Sequence, residues 1–328
     1  MSRIVALGAG RMGRGIAQVF AYAGYEVEIV DFKDRSAADS AALLAEAKEE
    51  IRENLNFLHS LKSIETDEIE ATLSRVTGVP LANANDCLSN ADYVFEGVPE
   101  TLEAKEDAIG RVSAMMKADG VLASTTSTML STTLADFSAR PTHFLNAHFL
   151  NPAYLIPLVE VSPSDRTDEA VTDCFTNLLD GIGKVPVKCK AAPGYIVPRL
   201  QSLIMSEACR MVEDGVATAE DIDKAVRSGF GLRFATMGPL EFVDWGGLDI
   251  LYYANRYLTK ELGDRYQAPP IVNELMGAGH LGLKTGRGMY DFGDMDVDAY
   301  RTEKLSTFVA LLKHLDLMPK PARAVDQD

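Results

Sequence analysis

The sequence predicts an α/β protein: a doubly wound parallel sheet that carries a helical hairpin insertion, followed by an all-α C-terminal domain. Three observations predict it. Short apolar runs alternate with helix-period segments through the first 190 residues. A glycine-rich turn, Gly8-Ala-Gly10-Arg-Met-Gly13, joins the first apolar run to the first helix. Past Ala191-Ala-Pro193-Gly194 the strand signals stop and helical ones continue. Such alternation indicates βαβ units and a parallel sheet. The expected domains are residues 1–190 and 191–328.

Ile4-Val-Ala-Leu7 is a buried strand, because its apolar run is unbroken up to Gly8. Met12, Ile16, Val19 and Phe20 share one helical face, so 13–23 is a helix. Glu26–Asp31 is a second strand ending in an acid, and the three pieces form a right-handed βαβ unit. Ser36–Ser74 is polar, alanine-rich and helix-periodic, with a turn near His59–Ser63. It is expected to be a pair of helices standing away from the sheet. Further strands are expected at Arg75–Val79, Tyr93–Phe95, Val121–Ser124, Phe144–His148, Ile156–Val161 and Val185–Lys188. Val197–Asp214 is helical with Gly215 as its stop, and Thr218-Ala-Glu-Asp221 opens another helix. The tail Pro319–Asp328 is expected to fray.

Charge narrows the function classes. The chain has 32 Lys+Arg against 48 Asp+Glu, a net −16. Phosphate backbones and anionic membranes repel such a surface. Cys87, Cys174, Cys189 and Cys209 show no CxxC or CxxH spacing. A zinc site or disulfide framework is therefore not expected, no other metal is called for, and a reducing cytoplasm is the expected compartment. No apolar stretch approaches the roughly 18 residues of a membrane span, and the run before Gly8 is too short for a signal peptide.

The glycines have a chemical purpose. Gly8 makes the tight turn, Gly10 lets backbone approach a pyrophosphate, and Gly13 lets helix and strand pack closely. The phosphate then meets free N–H groups at a helix N-terminus. Asp31 lies 18 residues after Gly13, at the end of the second strand, where an acid binds a ribose 2′-hydroxyl. That acid repels a 2′-phosphate, so NAD is favoured over NADP, although Lys33 and Arg35 stand nearby. The alternative is a glycine turn in some other α/β protein.

His148 ends one apolar run, and Glu160 lies 12 residues later inside another. A carboxylate in a buried strand needs a partner. If the two strands are neighbours, imidazole takes a hydroxyl proton while the carboxylate fixes its tautomer. The alternative is a core histidine satisfied by a carbonyl, with Glu160 capping something unrelated. Ser124-Thr-Thr-Ser127-Thr128 follows another strand, where hydroxyls face the ligand crevice of this architecture. At least two of them are expected only to cap the next helix.

These residues resemble the L-3-hydroxyacyl-CoA dehydrogenase family, which includes gulonate dehydrogenases (lambda-crystallin) and carnitine dehydrogenases. The likeness runs from Ile4 to about Phe292. GAGRMGRGIAQ, FEGVPETLEAK, STTSTMLS, AHFLNPAYLIPLVEV, PGYIVPRL and GLKTGRGMYDF carry it. It implies a Rossmann-type domain, a helical C-terminal domain that walls the substrate cleft, and a homodimer formed through the latter. It implies His148 as catalytic base, Glu160 as its orienting carboxylate and Ser127 on the substrate oxygen. Arg11, Met12, Gly97, Val98, Glu100, Lys105, Thr125 and Asn151 match cofactor-pocket positions, with Asn151 near the substrate as well. Lys284 matches a lysine that approaches the cofactor. From the residues alone, Lys105 reads equally as a solvated helix lysine and Lys284 as a turn lysine.

Two departures stand out. Pro198 occupies the place of an asparagine in the family's PGFIVNR, a helper at the substrate's reacting end, so Arg199, Gln201 or Ser202 must supply that help or it is missing. Ser36–Ser74 holds nine acids and only Lys48, Arg52 and Lys62, a balance of −6, where CoA-using members welcome phosphate. Arg233 resembles an arginine of the gulonate and carnitine branch, suited to clamp a small carboxylate or, alternatively, to bridge two helices. Trp245 reads as a core or dimer contact.

The expected function is NAD-dependent oxidation of a short L-3-hydroxyacyl-CoA, 3-hydroxybutyryl-CoA being representative, as in fatty acid β-oxidation. The alternatives are a dehydrogenase of a free 3-hydroxy carboxylate and a non-catalytic NAD-binding structural or sensor protein.

Overall fold

In the computed structural model, which describes residues 2–319, one eight-stranded sheet organises the first part of the chain. Its strands are β1 (Ile4–Leu7), β2 (Val27–Asp31), β3 (Val76–Pro80), β4 (Tyr93–Glu96), β5 (Val121–Ser124), β6 (Phe144–Phe149), β7 (Leu158–Pro163) and β8 (Val185–Lys188). They lie in the order β3-β2-β1-β4-β5-β6-β7-β8. Every neighbouring pair is parallel except β6 and β7, which are antiparallel and set His148 directly opposite Glu160. The order reverses beside β1, and a ligand crevice opens at such a switch point, outside the carboxyl ends of the strands.

Helices cover both faces of this sheet. They are α1 (Arg11–Tyr22), α2 (Ala37–Ser60), α3 (Thr66–Ser74), α4 (Ala84–Leu88), α5 (Leu102–Met115), α6 (Ser131–Ala135) and α7 (Glu169–Gly181). Along β1, Ile4 and Ala6 enter one core with Phe20 and Phe95, while Val5 and Leu7 enter the other with Ile109 and Leu134. Burial on both faces explains why this strand reads as an unbroken apolar run.

The α2–α3 pair does not stand away from the sheet as expected. Ala47, Ile51 and Leu55 of α2, with Ile69 and Leu73 of α3, are buried in the same core as Ile29 and Phe20. One apolar stripe on otherwise acidic helices is enough to hold them down.

The compact first unit extends past β8 to Ile204, and the second begins at Met205, within α8 (Val197–Glu213). Glu160 of β7 accepts the N–H groups of Ile196 and Val197, which ties the start of α8 to the sheet. Pro198 sits in the first turn of α8, where a missing N–H costs nothing.

In the second unit, α9 (Ala219–Ser228) is capped by Thr218, whose hydroxyl accepts from the Asp221 N–H. Then come α10 (Phe230–Phe234), α11 (Pro239–Gly246), α12 (Leu248–Leu262), α13 (Pro270–Gly277) and α14 (Val297–His314). Asp244, 1% exposed, accepts the N–H groups of Met289 and Tyr290 and pins that turn. Trp245 packs on Tyr300 at 6.0 Å between ring centroids. Residues 320–328, most of the tail expected to fray, lie outside the described residues.

Candidate active site

The site starts at the turn after β1. Gly8 has φ +99°, and a side chain there would meet the Gly97 carbonyl. A Cβ on Gly13 would overlap the carbonyl oxygen of Gly8, so α1 can begin this close to β1 only with glycine. Gly10 faces open space and caps α1 without a side-chain hydrogen bond. The positive N-terminal end of α1 is thus left for an anion. A cleft of about 690 Å³ adjoins it, lined by Gly8, Gly10, Asp31 and Val98 among others.

Asp31 ends β2 at 2% exposure. The Arg35 Nε donates to its Oδ1 at 3.2 Å and lies 3.2 Å from Oδ2 as well. Oδ2 therefore has a charged neighbour but no hydrogen-bond donor. A buried acceptor without a donor is costly. A ribose hydroxyl at the end of this cleft would supply one. Orphaned acceptor, open Gly10 and bare helix end all fit a dinucleotide.

A second cleft, about 440 Å³, shares Gly97 and Val98 with the first. Arg11, Met12, Glu100, Lys105, Thr125, Ser127, His148 and Asn151 line it. Ten of the residues singled out in the sequence therefore meet in this one place.

Its floor is a buried ion pair that the sequence reading missed. Lys105 Nζ lies 2.9 and 3.1 Å from the two carboxylate oxygens of Glu96. Glu96 also accepts the Ser124 hydroxyl at 2.6 Å and the Val98 N–H at 2.6 Å. The signal was available: an acid ending an apolar strand, like Asp31. Lys105 is 1% exposed, so the solvated-helix alternative is excluded.

Glu100 organises the turn after β5. It accepts the Ser127 and Thr128 N–H groups at 2.9 and 3.2 Å, and the Thr126 hydroxyl. Burial opposes its ionisation, but the Thr126 bond, the Lys105 charge and the turn N–H groups outweigh this and hold the carboxyl below its ordinary range. The hydroxyls here do not cap α6, contrary to expectation. Its N-cap is Leu130, with no side-chain bond. Thr126 Oγ1 instead accepts from the Thr128 and Met129 N–H groups, so it shapes the turn itself.

His148 Nδ1 lies 2.8 Å from Glu160 Oε2. A carboxylate accepts, so Nδ1 carries the proton of this bond, and in the neutral imidazole the lone pair is then on Nε2. Glu160 is fully buried, and its Oε1 accepts the N–H groups of Ile196 and Val197 at 2.8 Å each. The neighbouring-strand reading holds, since His148 is satisfied by Glu160 and not by a carbonyl; of the alternative only the capping by Glu160 appears, at the start of α8 and alongside the pair. Tyr195, also missed, stacks on the imidazole.

Arg233 and Lys284 belong to the second unit. The Arg233 guanidinium of α10 lies 4.5 Å over the Phe242 ring of α11. Lys284 pairs with Asp249 at 2.5 Å beside Gly247.

A base that can take a proton, next to a cradle shaped for a dinucleotide, is the equipment of a nicotinamide-dependent dehydrogenase. Family comparison agrees. Residues 3–192 match the 3-hydroxyacyl-CoA dehydrogenase NAD-binding domain, and 194–292 match the C-terminal domain of the same enzymes. A probable 3-hydroxybutyryl-CoA dehydrogenase of Deinococcus radiodurans is 35% identical over 87% of this chain and 98% of its own. The crystal structure of a 3-hydroxyacyl-CoA dehydrogenase from Archaeoglobus fulgidus superposes with a TM-score of 0.76 at 31% identity, covering 97% of this chain and 100% of that one. The 5-formyl-3-hydroxy-2-methylpyridine 4-carboxylate 5-dehydrogenase of Mesorhizobium japonicum is 29% identical over 95% of this chain and 98% of its own. The chain belongs to the 3-hydroxyacyl-CoA dehydrogenase family; it is an oxidoreductase and its cofactor is NAD.

Proposed function

We propose that the chain oxidises the hydroxyl of a short L-3-hydroxyacyl-CoA, such as 3-hydroxybutyryl-CoA, to the 3-oxoacyl-CoA. The observation that carries this is the His148–Glu160 pair in the cleft that continues from the glycine cradle. Asp31 and the Gly8–Gly13 turn hold the NAD, which supplies the hydride acceptor when bound. His148 Nε2 takes the hydroxyl proton. Glu160 selects the tautomer of the neutral imidazole that has its proton on Nδ1 and stabilises the imidazolium formed afterwards, a contribution of about 10²–10⁴-fold. Ser127, whose hydroxyl is held only loosely by Glu100 at 3.4 Å, turns to the substrate oxygen, with Asn151 beside it.

A second function is a free 3-hydroxy carboxylate as substrate. The charge of the α2–α3 pair favours it. Arg52 is spent on Glu49 and Glu70, and Lys48 donates to the Val76 carbonyl, which leaves little for a CoA phosphate. The Mesorhizobium relative is named for a carboxylate substrate. NADH formation with 3-hydroxybutyryl-CoA, free 3-hydroxybutyrate, gulonate and carnitine separates the two. Turnover of the thioester supports the first, and turnover of the free acids alone overturns it. Wild-type turnover by His148→Gln removes the mechanism from both.

The same function carries a homodimer formed through the helical unit. Ile250, Tyr253 and Tyr257 are exposed at i, i+3 and i+7 of α12, as a paired helix face requires. All four cysteines are free thiols, consistent with a reducing cytoplasm.

A further inference from the structure

Tyr195 follows Gly194 just before α8, and both are left-handed, with φ +43° and +72°. Glycine adopts this conformation freely. A bulky residue holds it only where its surroundings enforce it. Here they do so on every side. Tyr195 is 5% exposed. Its ring stacks on the His148 imidazole with centroids 5.3 Å apart and planes 12° from parallel. Its hydroxyl donates to the Thr126 carbonyl at 3.0 Å and accepts from Asn146 Nδ2 at 2.9 Å. The N–H groups of the next two residues are those that hold Glu160.

We propose that Tyr195 is a positioning residue for the oxidation: its ring fixes the plane of the His148 imidazole, and its hydroxyl ties that ring to the turn that carries Ser127. This rests on His148 being the base, as argued above. A single hydrogen bond at Nδ1 leaves the imidazole free to swivel. A flat partner against one face removes that freedom and aims Nε2. The hydroxyl bond to Thr126, the neighbour of Ser127, sets base and serine in one frame. The segment 195–197, entered through the left-handed Tyr195, thus grips both members of the pair, one by its ring and the other by its backbone.

The test uses Tyr195→Phe and Tyr195→Leu in the full chain with NAD bound. The Nδ1 proton of a histidine held by a carboxylate gives a far-downfield proton resonance, which needs no substrate. Y195F is expected to keep it, because the stack remains, and to raise the substrate KM several-fold as the Ser127 turn loosens. Y195L is expected to lose it and to drop kcat about 10²-fold, the effect of misplacing a catalytic group by about 1 Å. NADH affinity, followed by fluorescence, should be unchanged in both. In a His148→Gln background Y195L should cost nothing more. An equal further loss there marks a merely structural role and overturns the proposal. So does a Y195L that keeps the resonance and kcat, or a Y195F that loses the resonance. Wild-type turnover by H148Q alone would instead refute His148 as the base, and the resonance would still judge Tyr195.

Discussion

Lys105 holds its ammonium 2.9 Å from the Glu96 carboxylate, and neither side chain exposes more than 1% of its surface. Removing one member of such a pair leaves a buried charge without compensation. Lys105→Met is therefore expected to cost about 3–5 kcal/mol of stability. Removing both charges, in E96Q/K105M, should recover much of that loss. Thermal unfolding of the three proteins checks this, and a single variant that melts with the wild type would refute it.

The sequence exposed the sheet because both faces of β1, β4 and β5 are buried, so their apolar runs are unbroken. It exposed the His148–Glu160 pair because a carboxylate in an apolar strand needs an explanation. It hid Tyr195, whose role depends on a left-handed backbone and on a strand 47 residues earlier. It also misplaced the acidic hairpin. Charge density suggested separation from the sheet, whereas a stripe of Ala47, Ile51 and Leu55 decides the packing. The charge itself is partly answered in the structure, since Arg14 pairs with Glu46 and Glu50.

Glu100 gives the first unit a pH dependence of known sign. Its folded-state carboxyl titrates below its ordinary value. Its contribution is therefore present above the ordinary carboxyl range and is lost as pH falls through the depressed value. Glu100→Gln should destabilise at neutral pH, and its difference from wild type should shrink on acidification toward about pH 3. Urea unfolding at both pH values measures this. A difference that grows with acidification would contradict a Glu100 carboxyl held below its ordinary range by its hydrogen bonds.

Asp31 is expected to decide between cofactors. If its unpartnered Oδ2 receives a ribose hydroxyl, its loss should weaken NAD binding by about 1.5–3 kcal/mol, roughly ten- to a hundredfold. Asp31→Ser also frees Arg35, which then attracts a 2′-phosphate. The ratio of kcat/KM for NADP to that for NAD should rise. Equal losses with both cofactors would show that Asp31 shapes the cleft without reading the ribose.

Glu160→Gln separates the two tasks of one carboxylate. An amide has a single acceptor oxygen. The Ile196 and Val197 N–H groups can only donate, so that oxygen must stay with them. The NH₂ then faces His148 and donates to Nδ1, which forces the imidazole proton onto Nε2. The helix cap survives and the base is blocked. E160Q should therefore fold and bind NADH like the wild type, while kcat falls by about 10²–10⁴-fold. Asparagine at the same place is too short to cap α8 and should lose stability as well. If E160Q instead loses NADH binding together with turnover, Glu160 acts through the fold and not through the tautomer of His148.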